Sequence, residues 1–223
     1  MNTSDRAGSR DEDPGDTAEG TRGALPRRSF LLAGLAGATA GFTASLPAPA
    51  AAADGGSATP GGRSANGWPV TGTGITTLPV PGTPASVALR EGDVSVVLVH
   101  VIRRFHYEVE EVGPRELAGH RPAAGLTGHT TNYASGTAVA VRPDAYPLGA
   151  TGVLFPHQEA VVRDIVRECG GVVAWGGRLR RPHAAHFQID VRPGDPRLRR
   201  LADRIRGWTQ APGLGAGVFL LGA

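Results

Sequence analysis

Three segments of the chain place apolar residues at every third or fourth position, a spacing that predicts amphipathic helices. The first predicted helix begins at Asp93, as its N-cap, and ends at about Val112. The second spans 156–168 and has a proline in its first turn, and the third spans 196–208. In the first and third segments charged residues occupy the opposite face, so one side of each helix should pack against a core.

Short apolar runs between these helices predict strands. The chain has four such runs, at 86–89, 137–141, 171–175 and 186–191. The stretches 67–85 and 113–135 are rich in turn-forming residues and predict loops. Because helices and strands do not alternate regularly, the pattern favours an α+β fold with a small antiparallel sheet flanked by helices.

The composition indicates one domain with a core and excludes several other classes of protein. Of the 223 residues 40% are hydrophobic, and the 33 glycines and 18 prolines show no collagen repeat. The single cysteine, Cys169, cannot form an intrachain disulfide or a thiolate zinc cluster, so any metal must bind His, carboxylate or Tyr side chains. Cys169 lies on the apolar side of the second helix and is expected to be a packed core thiol. A net charge of +3 gives no indication of nucleic-acid binding.

The N-terminal residues 1–53 have the layout of an export signal. A polar segment ends in Arg27 and Arg28, an uncharged apolar run follows to about residue 46, and alanines at 50–53 supply a small-residue cleavage site. The Arg-Arg-x-Phe-Leu pattern resembles the twin-arginine signal, so the export machinery of that pathway is an expected partner. We expect a secreted, cell-envelope protein with no permanent membrane span after cleavage, and retention of the run as an anchor is the alternative.

The remainder of the chain divides into three predicted parts. Residues 54–66 are rich in Gly, Ser, Ala and Pro and predict a flexible linker. Residues 67–210 contain all the predicted helices and strands and form the domain. The tail, 211–223, is expected either to pack as a closing strand or to fray.

Three short segments of the domain carry a family resemblance. They read TNYASGTAVA at 131–140, WGG at 175–177 and HAAHF at 183–187. In this order they resemble the zinc D-alanyl-D-alanine carboxypeptidase family, which includes endolysin-type peptidoglycan peptidases and shares its fold with the Hedgehog signalling domain. The family's segments read S-x-H-x-x-G-x-A-x-D, W-G-G and D/E-x-x-H. The resemblance covers about 66–205 and implies a Hedgehog/DD-peptidase-like fold.

The resemblance also assigns four chemical positions, and three of them are substituted here. The family's zinc ligands would fall at Tyr133, Ala140 and His186, and its general base at His183. Ala140 cannot coordinate a metal, and Tyr133, with a phenol pKa of about 10, is a poor zinc ligand at neutral pH. Only His186 matches. The residues that the resemblance places in a substrate cleft are retained: Gly136, Ala138, Trp175, Gly176, Gly177 and Phe187.

Other residues offer a rebuilt metal site. His129, Asp144 and His183 lie near the substituted positions in sequence, and Tyr133 is a possible further ligand beside His186. A zinc cofactor is expected only if such a site exists. Otherwise we expect no cofactor, and His183 and His186 would form a hydrogen-bonded pair on the surface or in the cleft.

These observations lead to one expected function and two alternatives. The expected function is that of an exported pseudopeptidase that binds peptidoglycan peptides without cutting them. The first alternative is an active metallopeptidase with rebuilt ligands, which hydrolyses peptidoglycan stem peptides. The second is a structural interaction protein of the cell envelope. Whether the chain is an enzyme therefore depends on the metal site.

Overall fold

A computed structural model describes residues 61–211. The predicted export signal with Arg27 and Arg28, most of the predicted linker and the tail beyond 211 lie outside the described residues. Within 61–211, no helix is both long and apolar enough to span a membrane.

The described residues form four α-helices and six strands. In chain order these are β1 (Ile75–Pro79), β2 (Ser86–Arg90), α1 (Asp93–Glu108), β3 (Leu117–Ala118), α2 (Thr131–Ala134), β4 (Ala138–Val141), α3 (Pro156–Glu168), β5 (Val173–Trp175), β6 (His186–Ile189) and α4 (Pro196–Gln210). Strands β3 to β6 form one sheet in the order β3-β4-β6-β5, and every neighbouring pair in it is antiparallel. The α+β prediction, with a small antiparallel sheet, is confirmed.

Helix α1 lies at the centre of the core and contacts β4, β6, α3 and α4. It ends at Glu108 rather than near Val112, because the backbone N–H of Glu110 turns back to the carbonyl of Phe105 at 3.0 Å. The backbone N–H of Val112 then donates to Nδ1 of His106 at 2.9 Å. The N-cap is Gly92, so the prediction of Asp93 as the cap is wrong by one residue.

Helices α3 and α4 confirm the predicted amphipathic segments, although α4 continues to Gln210, two residues further than the spacing indicated. The predicted core role of Cys169 is also confirmed. Its side chain is buried directly after α3, and this burial raises the pKa of the thiol to about 12. The thiol is therefore protonated at neutral pH and is a poor nucleophile.

The loop predictions missed several elements. Strand β1 pairs antiparallel with β2 from Ile75 opposite Arg90 to Pro79 opposite Ser86. It carries no fully buried residue, so its sequence shows no apolar alternation that would reveal a strand. The stretch 113–135 contains β3 and α2, as well as a turn of 3₁₀ helix at Gly128–Thr130.

Part of the predicted linker belongs to the folded domain. The Asn66 side chain is buried, and its Nδ2 donates at 2.8 Å both to Oγ1 of Thr137 and to the carbonyl of Ile189. Trp68 Nε1 donates to the carbonyl of Val191 at 2.7 Å. The segment before β1 is thereby fastened to the start of β4 and the end of β6.

Candidate functional site

Three histidines from distant parts of the sequence meet at one end of the sheet. His129 lies in the 3₁₀ turn, His183 in the loop before β6, and His186 is the first residue of β6. One ring nitrogen of each lies within 4.8 Å of one ring nitrogen of each of the others. Nε2 of His129 is 3.2 Å from Nδ1 of His183, and the rings of His183 and His186 stack with centroids 5.3 Å apart. We call these residues the three-His cluster.

The loop that carries His183 depends on a glycine. The backbone N–H of His183 donates to the carbonyl of Gly176 at 2.9 Å, and the N–H of His186 donates to the carbonyl of His183 at 2.9 Å. A Cβ on Gly176 would lie 2.6 Å from the carbonyl oxygen of His183, closer than real contacts allow. Trp175 holds the same loop, since its Nε1 donates to the carbonyl of Ala184 at 2.7 Å. The Trp-Gly-Gly segment thus shapes the loop of the cluster.

Tyr133 joins the cluster from α2. Its hydroxyl oxygen lies 2.8 Å from Nδ1 of His186, and its side chain is only 1% exposed. The guanidinium of Arg121 lies over the tyrosine ring, 4.5 Å from its centroid. Burial raises the pKa of the Tyr133 phenol above its ordinary value. The hydroxyl is therefore a neutral hydrogen-bond donor at physiological pH.

A chain of amides fixes the orientation of His186. Gln188 Nε2 donates to Oδ1 of Asp190 at 3.0 Å, and Gln188 Oε1 accepts from Asn132 Nδ2 at 2.7 Å and from His186 Nε2 at 2.9 Å. Because Oε1 can only accept, Nε2 of His186 carries the proton and Nδ1 is the bare nitrogen. The Tyr133 hydroxyl donates to that bare nitrogen.

Gln188 and Asn132 were not identified from the sequence. Gln188 follows His186 by two positions in a strand, and alternate residues of a strand share a face. That spacing was the available signal. Asn132 directly precedes Tyr133 on a short helix that the sequence did not predict, so its position had no comparable signal.

His183 and His186 are neutral at physiological pH. The pKa of His183 is lowered to about 4, chiefly by burial and to a smaller extent by the nearby charges of His129, Arg121 and Arg181. Burial also lowers the pKa of His186 to about 3, against a smaller opposing effect of the hydrogen bond to Gln188. A neutral imidazole is the form that binds metal ions.

The cluster has the donor set of a metal site. Two nitrogens bound to one tetrahedral zinc ion at about 2.0–2.1 Å lie about 3.3 Å apart. The His129–His183 separation of 3.2 Å matches that spacing. Gln188 supplies the outer hydrogen bond that a ligating histidine usually makes through its other nitrogen. Within residues 61–211 this is the one group of three or more His, Cys, Asp or Glu side chains placed to hold an ion.

The four positions singled out by the family resemblance lie together in space. Tyr133 contacts His186, and His183 stacks on it. Ala140 is directly opposite His186 in the β4–β6 pairing, so the two Cβ atoms share a face about 4.5–5.5 Å apart. Asp144, a further candidate ligand from the sequence, is exposed in the turn after β4 and does not belong to the cluster.

Two of the predicted cleft residues serve the core instead. Phe187 is fully buried on the sheet face opposite His186 and contacts Phe105 with ring centroids 6.2 Å apart. Its assignment to a cleft is wrong, because neighbouring residues of a strand point to opposite faces. Gly136 has a φ of +69° and accepts the Arg90 backbone N–H at 2.9 Å. It packs against β2, away from the cluster.

The other predicted cleft residues lie near the cluster. Ala138 is opposite Gln188 in the β4–β6 pairing and shares the face of His186. Trp175 and Gly177 line a cavity of about 140 Å³ together with Pro182 and Ala184, which flank His183.

Comparison of the chain with protein-family models, with curated proteins and with solved structures finds no match. The relation to the zinc D-alanyl-D-alanine carboxypeptidases therefore stays a prediction from the three short segments.

Proposed function

We propose that this chain is an exported cell-wall protein that binds one zinc ion through His129, His183 and His186 and binds peptidoglycan stem peptides beside it without cutting them. The observation that carries this proposal is the three-His cluster. Three imidazoles with one coordination position left open form a site that suits zinc. The export and the wall peptide rest on residues 1–53 and on the family resemblance.

The absence of a carboxylate beside the cluster favours binding over hydrolysis. Zinc lowers the pKa of a bound water, and peptide hydrolysis then needs a group that moves a proton from that water to the leaving amine. The family places a carboxylate at position 183, but this chain has a histidine there, which the cluster uses as a ligand. Among residues 61–211, no Asp or Glu side chain belongs to the cluster. Asp190 reaches His186 only through Gln188.

The surroundings of the cluster suit an anionic peptide. Arg121 lies over the Tyr133 ring, and both Arg121 and Arg181 act on His183 as nearby positive charges. Both arginines are exposed. A guanidinium binds a carboxylate through two parallel hydrogen bonds, and stem peptides carry several carboxylates.

The test combines binding and hydrolysis on the same protein. The chelator-treated chain is titrated first with zinc and then, zinc-loaded, with purified stem peptides, and the peptides are examined for released D-alanine. We expect zinc binding, peptide binding and no release. A chain that binds no stem peptide at millimolar concentration would contradict the proposal.

A matched gain-of-function variant tests the ancestry of the site. The changes Tyr133→His, Ala140→Asp and His183→Asp restore the family's residues at positions that already surround His186. We expect this triple variant to bind zinc and to release D-alanine. A variant that folds and binds zinc but cuts no stem peptide would remove the support for this family's substrate.

Hydrolysis by the unchanged chain is the second candidate function. The specific observation in its favour is the number of ligands, since three histidines and an open position also form the zinc site of known hydrolytic enzymes. Zinc-dependent release of D-alanine that is lost in His186→Ala would establish it.

A further inference from the structure

The bare nitrogen of His186 has two possible partners. Its Nε2 proton is committed to Gln188, so only Nδ1 is available to a metal ion. That nitrogen is already 2.8 Å from the hydroxyl oxygen of Tyr133. A zinc ion on Nδ1 would lie about 2.0–2.1 Å away along the same lone pair. The ion and the hydroxyl proton cannot occupy that lone pair together.

We propose that the Tyr133 hydroxyl competes with the metal ion for Nδ1 of His186, so that Tyr133 lowers the metal affinity of the three-His cluster. This inference rests on the zinc site proposed above, and it assigns Tyr133 a role opposite to that of a ligand. The residue stands where the family resemblance expects a histidine ligand. In this chain the substituted side chain opposes metal binding by its hydrogen bond.

The surroundings of Tyr133 favour competition over ligation. The Tyr133 hydroxyl donates to Nδ1 of His186, which carries no proton because Nε2 of the same ring donates to Gln188. The tyrosine side chain is 1% exposed, and the Arg121 guanidinium covers its ring, 4.5 Å from the ring centroid. This packing holds the hydroxyl against His186. Metal binding must first break this hydrogen bond.

Removal of the hydroxyl should therefore strengthen metal binding. Tyr133→Phe keeps the buried ring and leaves Nδ1 of His186 bare. A typical buried hydrogen bond has a net contribution that corresponds to about a fivefold change in an equilibrium constant. We expect the variant to bind zinc about fivefold more tightly than the unchanged chain. If Tyr133 were a ligand, the same substitution would weaken binding.

The control is a second buried tyrosine outside the cluster. Tyr146 is 4% exposed, and its hydroxyl donates to Glu110. Tyr146→Phe removes a buried hydroxyl of similar kind without touching a histidine of the cluster. Its zinc affinity should equal that of the unchanged chain, even if its stability falls.

The experiment is a calorimetric zinc titration of the full chain, Tyr133→Phe and Tyr146→Phe, each chelator-treated. Tighter zinc binding by Tyr133→Phe, but not by Tyr146→Phe, supports the inference. Zinc binding by Tyr133→Phe when the unchanged chain binds none also supports the inference, but that result would reject the proposed zinc function. Equal or weaker binding by Tyr133→Phe overturns the inference, and the zinc function stands if the unchanged chain binds. If neither chain binds zinc, both fail.

A measurement on the unchanged chain tests the inference even if Tyr133→Phe does not fold. Nitrogen-15 NMR of the imidazoles distinguishes a bare, a hydrogen-bonded and a metal-bound nitrogen. On addition of zinc, Nδ1 of His186 should change from hydrogen-bonded to metal-bound, and the Tyr133 hydroxyl should lose its hydrogen bond to that nitrogen. Persistence of that hydroxyl proton on Nδ1 of His186 in zinc-loaded protein would overturn the inference.

Discussion

Mild acid should destabilise the metal-free domain through two histidines of the cluster. In the folded state the pKa of His183 is lowered to about 4 and that of His186 to about 3, both chiefly by burial. In the unfolded chain each histidine has a pKa of about 6.5. The unfolded state therefore binds more protons below about pH 7. The folded domain therefore has its full stability with respect to these two histidines above that pH. It loses stability as the pH falls from about 6.5 toward the folded pKa values.

The size of the effect follows from the proton count. Between pH 7.5 and pH 5.5 a histidine goes from about one tenth to nine tenths protonated in the unfolded chain and stays neutral in the folded one. This costs about 1.4 kcal/mol of unfolding free energy for each histidine at 25 °C. Together, His183 and His186 should account for a loss of about 3 kcal/mol over this interval.

Urea unfolding at both pH values, in the presence of chelator, measures this loss directly. His186→Gln keeps a donor toward Gln188 but cannot titrate, so its loss should be smaller than that of the unchanged chain by about 1.4 kcal/mol. His183→Asn should show the same reduction, and the double variant twice as much. The comparison between chains cancels the titration of all other groups. An equal loss in the unchanged chain and both variants would refute the reasoning.

Two further predictions concern residues that position the cluster. Gly176→Ala should destabilise the domain by about 1–3 kcal/mol and weaken zinc binding, because its Cβ would lie 2.6 Å from the carbonyl oxygen of His183. Gly207→Ala is the control, because a Cβ at this position in α4 meets open space, and its zinc affinity on calorimetry should be unchanged. Equal zinc affinity in the two variants would contradict the role of the contact between position 176 and His183. Gln188→Leu should weaken zinc binding by about 10–100-fold, because His186 loses the acceptor that fixes its bare nitrogen. Gln158→Leu on α3 is the matched control, and an unchanged affinity in Gln188→Leu would show that this amide does not orient the ligand.

The sequence predicted the helices well because their burial is one-sided. The bounds of α3 came from a proline in the first turn and apolar residues at helical spacing, and the structure confirms both bounds. Strand β1 was missed for the opposite reason, since its residues are mostly exposed and its partner β2 supplies the buried side chains. Helix α2 has only four residues, too few for any helical spacing to appear.

The candidate site was predicted in part. The motif spacing selected Tyr133 and His186, which the structure brings into hydrogen-bond contact. Which of the further candidate ligands join His186 could be decided only from the three-dimensional structure. His129, four residues before Tyr133, reaches the cluster through the 3₁₀ turn, whereas Asp144, four residues after Ala140, is exposed in the turn that follows β4. Such long-range placement depends on chain direction after each turn, which local sequence patterns do not specify.

The most direct test of the central claim is a calorimetric zinc titration of the full chelator-treated chain at pH 7.5. The account predicts one zinc ion for each chain and a large loss of affinity in His129→Ala, His183→Ala and His186→Ala. His157→Ala, which changes an exposed histidine of α3, should bind as the unchanged chain does. No binding, or binding that all three cluster variants retain, would contradict a metal site at the three-His cluster.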